Sequence, residues 1–314
     1  MNMRWRLCTL LVAAGNLAIG ICSAEEKRSL AMDVGTSFST DTDGFHAFRG
    51  RAGGLFTYAN PWRFSGVNVQ STKYTKGEFS KDVTAVVGKY RDQRRDNLAG
   101  VDIEAGVARV SGHLRPVGDA TLRMVTSLGT ALDLNVSADL VETPKALDRG
   151  IGYTFLATGV EQPFGERSTI TALAGWQRFN DGNARVHLRA RYIWLAVPEA
   201  GITLQLRHRH YSTRQLDVGG AYFNPENYQQ TLAVAAIRKR HAGWVLSGSL
   251  GAGQERVTGI SSHPAYLAEV RGESPVGKDI RLVFHAGYYR SSGYTDSPDY
   301  AYQIAGLNLV FLTR

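Results

Sequence analysis

The chain has 314 residues, with 36 Lys+Arg against 28 Asp+Glu and only two cysteines, Cys8 and Cys22. Its formal charge of +8 is a mild basic excess, which does not point to nucleic acid in an exported protein. Both cysteines fall in the first 24 residues, so the chain beyond them carries neither a disulfide nor a thiolate metal site.

The first element is a leader. Met1 to Arg6 is short and basic, Leu7 to Ile21 is largely apolar, and Cys22-Ser23-Ala24 ends the run with small residues before Glu25-Glu26. That layout predicts a secretory signal peptide over 1–24, cleaved after Ala24. The run is short for a membrane span and contains Asn16. Ile21 is too bulky for the lipoprotein processing that a cysteine at 22 would otherwise invite. Loss of Arg4 and Arg6 with the leader lowers the net charge from +8 to about +6.

Residues 25–314 read as one unit. No second long apolar run follows the leader, so no membrane helix is expected. The texture is that of strands, in about sixteen segments: 30–40, 44–57, 62–73, 80–91, 98–112, 119–130, 131–142, 150–161, 168–179, 184–197, 201–212, 227–239, 243–257, 264–273, 279–291 and 299–312. Each is near the length that crosses a bilayer as a tilted strand. The stretch RVHLRARYIWL, Arg185 to Leu195, shows the principle. Val186, Leu188, Ala190, Tyr192 and Trp194 alternate with a row that begins Arg185, His187, Arg189, Arg191. A helix would scatter these residues, whereas a strand sorts them onto two faces. One face calls for an apolar medium and the other for water or anions. The expectation is an all-β fold, a transmembrane antiparallel up-and-down β-barrel of about 16 strands in the bacterial outer membrane. A soluble all-β protein is the alternative architecture.

The connections agree in part. With residue 30 on the periplasmic side, the turns at 59–61, 162–165, 198–200 and 240–242 are short, and the opposite set, 143–149, 213–226, 258–263 and 292–298, is longer. The connections 92–97 and 274–278 are long for the short side. Trp194 and Trp244 would sit at the periplasmic interface, and Trp176 and Tyr288 at the outer one. No phosphate-cradling loop, dinucleotide fingerprint or helical repeat occurs. The glycines of 248–253 lie inside a strand, where they ease curvature or clear space in the lumen.

If the apolar rows face lipid, the interleaved rows line the lumen. Arg185, His187, Arg189 and Arg191 would then join Gln205, Arg207 and Arg209 of the next strand in a basic patch. Asp102, Glu104, Asp133 and Asp139 would form an acidic wall elsewhere. Such an interior must be hydrated, plugged or internally paired. Either the arginines pair with the acidic wall and stiffen the barrel, or they line a conduit and offer hydrogen bonds to a passing polar ligand. Arginine forks suit carboxylates and phosphates, which favours an anionic polymer.

The loop after the basic hairpin reads Gly219-Gly-Ala-Tyr-Phe-Asn-Pro-Glu-Asn-Tyr228. It resembles a Gly-Tyr-Phe-Ser-Pro segment in the C-terminal barrel of bacterial exopolysaccharide export porins, the cellulose synthase operon protein C family. Tyr211, Tyr222, Phe223, Pro225 and Tyr228 occupy the matching positions, with Asn224 in place of serine. Ser297-Pro-Asp-Tyr300 before the last strand is also similar to that family. Sharp similarity is confined to about 200–240 and the C-terminus. The resemblance implies a sixteen-stranded outer-membrane barrel carrying a secreted polysaccharide, with Tyr222, Phe223, Pro225 and Tyr228 in an extracellular loop motif. It also implies a long periplasmic tetratricopeptide scaffold, which this chain does not carry. The motif's simpler meaning is a proline turn with packed aromatics. Gly306, Leu309 and Phe311 resemble the terminal-strand signal of barrels inserted by the bacterial assembly machinery, although Leu312-Thr313-Arg314 follow.

A second resemblance points to an enzyme. His210-Tyr-Ser212 places histidine and serine on one strand face, as in outer-membrane phospholipase A and lipid A deacylase. Asn224 could orient the histidine, but those families continue Ser-Asn where this chain has Thr213-Arg214. The expected function is therefore a passive, non-enzymatic conduit for a secreted polysaccharide. A general small-solute porin and a lipid hydrolase are the alternatives. The expected partners are polysaccharide, outer-membrane lipid, a periplasmic scaffold and an inner-membrane synthase. No cofactor, metal or nucleic acid is expected.

Overall fold

The computed structural model describes residues 29–277, 279–291 and 300–313. The expected leader, both cysteines and residues 297–299 lie outside these. The described chain forms β1 (Ser29–Asp41), β2 (His46–Asn60), β3 (Arg63–Lys76), β4 (Phe79–Gln93), β5 (Gly100–Val110), β6 (His113–Val125), β7 (Ala131–Leu140), the short helix α1 (Pro144–Asp148), β8 (Gly152–Phe164), β9 (Ser168–Phe179), β10 (Ala184–Val197), β11 (Ile202–Thr213), β12 (Asn227–His241), β13 (Trp244–Val257), β14 (Ile260–Glu273), β15 (Ile280–Arg290) and β16 (Ala301–Thr313). Each strand pairs antiparallel with its neighbours in sequence, and β16 closes on β1. The result is the expected up-and-down barrel of sixteen strands. Closure removes the sheet edge, so backbone N–H and C=O groups are satisfied around the ring, as hydrocarbon demands. At the seam, Asn308 Nδ2 donates to Asp33 Oδ1 at 2.6 Å and Thr313 Oγ1 donates to the Leu30 carbonyl at 2.8 Å.

The side chains are distributed inside out relative to a soluble protein. Leu250, midway along β13, is 68% exposed, whereas Asp33 and Lys89 on the inner side are 3% and 7% exposed. Along β10 the outward row is Val186, Leu188, Tyr192 and Trp194, all exposed. So continuous an apolar exterior is stable only against lipid. Trp194 and Trp244 sit near the rim where β1 begins and β16 ends, with Phe56, Tyr90 and Phe164 at the same level. Trp176 and Tyr288 sit near the opposite rim. These are the positions that amphipathic rings take at headgroup level. The rim carrying both barrel ends is the periplasmic one in this orientation.

Three boundaries differ from expectation. The segment expected over 119–130 is displaced: β6 begins at His113, directly after a two-residue turn, and a separate turn at 126–130 leads to β7. Ser111 and Gly112 both adopt positive φ, 48° and 78°, which is the primed hairpin geometry that matches strand twist. The strand then runs through Pro116 and Gly118, two residues that interrupt strand texture in the sequence. The long outer connection expected over 258–263 is instead a two-residue turn, with Gly259 at φ 82° and β14 starting at Ile260. The long connections 141–151 and 214–226 do share the outer rim, but so do the two-residue turns 77–78, 111–112 and 258–259. Loop length alone therefore marks this rim only in part.

Candidate functional site

The interior is built by strand alternation and register. On β10 the inward row is Arg185, His187, Arg189 and Arg191, and on β11 it is Thr203, Gln205, Arg207, Arg209 and Tyr211. The register sets Arg189 directly opposite Arg209 and Arg191 directly opposite Arg207. Arg207 is braced by Gln205 Oε1 at 3.0 Å and lies 3.8 Å from Glu269. Arg209 donates to the Tyr228 hydroxyl at 2.6 Å and lies over the same ring. Arg189 and Arg191 make no hydrogen bond or ion pair among the described residues. All four line a cavity of about 520 Å³ inside the barrel, bounded on other sides by Asp133, Glu161 and Glu269.

The acidic residues face inward as well, but they are engaged locally. Asp102 pairs with Arg91 at 2.7 Å, Glu104 with Lys89 at 3.2 Å, and Asp133 with Arg123 at 3.3 Å. Lys89 also holds Asp33 at 2.7 Å, deep in the wall. Asp139 accepts the Leu140 backbone N–H at 2.7 Å. His187 contacts Gln177 at 3.0 Å and packs against Phe155 and Tyr211. The pairing of arginines with the acidic wall therefore runs through Arg91 and Arg123 rather than through the β10–β11 cluster. Sequence reasoning missed Lys89, Arg91 and Arg123. The signal was present in the matching charge rows, since Lys89 stands opposite Glu104, Arg91 opposite Asp102 and Arg123 opposite Asp133.

At the outer mouth two connections fold inward. Helix α1 is capped by Thr143, whose hydroxyl accepts from the Ala146 N–H at 3.3 Å. Leu147 packs on Val83, Ala85, Ala108 and Val110, so this sector of the inner wall is apolar and covered. The Thr143 hydroxyl donates to the Ala221 carbonyl, joining α1 to the loop 214–226. In that loop Tyr222 stacks on Phe179 with ring centroids 4.7 Å apart. Its hydroxyl donates to Asp181 at 2.9 Å and accepts from Asn183 Nδ2 at 3.1 Å. Burial, reinforced by the Asp181 carboxylate, pushes the Tyr222 phenol well above its ordinary range.

Arg185 is the hub of this packing. Its guanidinium lies 4.9 Å from the Phe179 ring, 5.2 Å from Tyr211 and 5.4 Å from Tyr222. It donates to the Phe223 carbonyl and, at 3.1 Å, to Asn224 Oδ1. Tyr211 stacks on Tyr228 at 4.9 Å, and the Tyr228 hydroxyl donates to buried Glu255 at 2.7 Å. The motif residues Tyr222, Phe223, Asn224, Pro225 and Tyr228 thus lie in or next to an inward-folded loop and its supporting wall. A second cavity of about 510 Å³ opens here, lined largely by aromatics, among them Phe45, Tyr153, Tyr211, Phe223 and Tyr302.

His210 and Ser212 share the outward row of β11 with Leu204 and Leu206, near the outer rim. No hydrogen bond joins them among the described residues, and His210 Nδ1 has no partner. Asn224 does not orient the histidine. Its amide nitrogen donates to the Gln215 and Leu216 carbonyls, and its oxygen accepts from Asn183 and Arg185. The geometry for taking the serine proton is not assembled. No group of three or more His, Cys, Asp or Glu suited to a metal ion occurs among the described residues.

No protein-family model matches the chain, and no curated protein matches it. Solved structures do. A bacterial polysaccharide outer membrane secretin superposes with a TM-score of 0.67 at 11% identity, over 91% of this chain and 99% of that one. OccK7 (OpdD) of Pseudomonas aeruginosa gives 0.44 at 11% identity over 91% and 99%, and CdiB of Acinetobacter baumannii gives 0.48 at 10% over 90% and 60%. At such identity the first likeness is one of fold. With the closed ring, the apolar exterior and the charged interior, it defines the class: a sixteen-stranded β-barrel of the bacterial outer membrane.

Proposed function

We propose that the barrel is a passive conduit through which a secreted polysaccharide leaves the cell. One observation carries this reading. The charged cavity in the bore and the aromatic cavity at the outer mouth share Arg209 and Ser291 in their linings, so they adjoin. A polymer would pass from guanidinium groups to a vestibule of tyrosine and phenylalanine rings. Such rings offer an apolar face and a hydroxyl edge, which suits the stacked faces and hydroxyls of sugar units. Likeness in fold to a polysaccharide secretin supports the same reading. The energy for movement would come from synthesis elsewhere, with a separate periplasmic scaffold feeding the bore.

A second reading, a general small-solute porin, is favoured by the free guanidinium groups, which would also attract small anions. Planar-bilayer recording separates the two. Oligosaccharides of increasing length, added on the periplasmic side, should block salt current with an affinity that rises with the number of units. A conducting barrel that no oligosaccharide blocks would be a small-solute porin, and the conduit reading would be wrong.

A further inference from the structure

Building on the conduit reading, on which it rests, we infer that the cargo is polyanionic: a polysaccharide bearing carboxylates, guided by the ladder of Arg189, Arg191, Arg207 and Arg209. The ladder has two rungs, Arg189 opposite Arg209 and Arg191 opposite Arg207. The rungs are two residues apart, about 6.8 Å along the strand. Like charges directly opposite in a sheet are disfavoured, and here two such pairs adjoin.

The wall cancels them only in part: Asp133, Glu161 and Glu269 bound the same cavity, three carboxylates against the four guanidinium groups of the ladder. Glu161 is engaged by Arg123 at 3.1 Å. Glu269 accepts from Ser249 at 2.7 Å and Tyr289 at 2.8 Å, and is divided between Arg207, at 3.8 Å, and the more distant Arg191. Arg189 and Arg191 are exposed to the bore and tied to no side chain among the described residues. A cation pair with no bonded carboxylate, in a cavity of about 520 Å³ whose cations outnumber its carboxylates, is set to receive anions that arrive from outside the protein. Guanidinium forks take carboxylates in plane and two bonds at a time, so successive acidic sugars exchange from one rung to the next. At the periplasmic rim Arg95 and Arg240 line an open hollow, which adds positive potential at the entrance.

The test is calorimetric titration of the whole barrel in detergent micelles with three probes: hexagalacturonate, cellohexaose of equal length and no charge, and galacturonate monomer at equal carboxylate concentration. Hexagalacturonate should bind at least tenfold more tightly than either of the others. Binding should collapse in 1 M salt, where the screening length falls to about 3 Å. R189Q/R191Q should weaken it at least tenfold, and R189K/R191K should keep most of it. Because these two side chains hold nothing else, the double variant leaves the barrel's own bonds intact. Equal binding of cellohexaose, indifferent to R189Q/R191Q, would overturn the polyanion and leave the conduit standing. Monomer binding as tightly as hexamer would also overturn it, in favour of a small-anion porin. If none of the three binds, both the polyanion and the carbohydrate path are wrong.

Discussion

Arg185→Ala should loosen the outer mouth without unfolding the barrel. The guanidinium makes three ring contacts and two hydrogen bonds to the loop 214–226 and its supporting wall. Exposed cation–π contacts are worth about 0.5–1 kcal/mol each. Hydrogen bonds from a charged donor are worth about 1.5–3 kcal/mol each. Contacts that share one group do not add, and water replaces part of what is lost, so a net cost near 3 kcal/mol is reasonable. That weakens loop docking by about 150-fold. The barrel's hydrogen-bond ladder does not depend on Arg185, and Tyr222 keeps Asp181 and Asn183. The assay is single-channel recording. The variant should show a larger mean conductance, frequent transitions and admission of larger neutral polymers. Arg185→Lys, which keeps the charge but not the flat fork, should fall between. A variant indistinguishable from the parent in conductance, gating and polymer exclusion would show that the inward loop does not narrow the path.

Two further outcomes test the frame around that mouth. Leu250→Arg places a charge at the middle of the lipid face and should cost about 2–4 kcal/mol of folding stability in bilayers, read by denaturant titration in vesicles. A neutral or stabilising result would mean that this face meets water. Lys89→Met leaves Asp33 without its cation in a buried setting and should cost about 3–5 kcal/mol, read as a lower unfolding temperature of the micelle-bound barrel. An unchanged midpoint would mean that Asn308, 2.6 Å from Asp33, and the nearby Arg51 charge suffice to hold that carboxylate.

The fold was legible because period-two sorting is local. In β10 the outward and inward rows are separated within a dozen residues, and nothing distant is needed to see it. The boundaries of β6 were not legible, because Pro116 and Gly118 read as a link while the turn was carried by Ser111 and Gly112 in left-handed conformations. Interior partnerships were less legible still. Lys89 reaches Asp33 across 56 positions of chain. Arg49 reaches Glu142 across 93, and only because the connection bearing Glu142 folds back into the mouth. Such contacts depend on register accumulated over several strands and on loops whose direction no periodicity encodes.

The basic row shows how that limit bears on function. From the sequence, Arg185, Arg189, Arg191, Arg207 and Arg209 are five equivalent cations on one wall. In the barrel they divide into three roles. Arg185 is consumed by the inward loop. Arg207 and Arg209 are each braced by a neighbour, Gln205 and Tyr228, which fixes their direction into the bore. Arg189 and Arg191 are left free, and their freedom is a remainder, known only after nearby carboxylates have been assigned to other partners. Braced cations beside free ones, at equal height on adjacent paired strands, give a path both a fixed binding edge and a mobile one. A ligand held only by braced groups would tend to stay, and one met only by free groups would not be aligned. Under the conduit reading proposed above, in which cargo must leave, the mixture matters more than the number of charges.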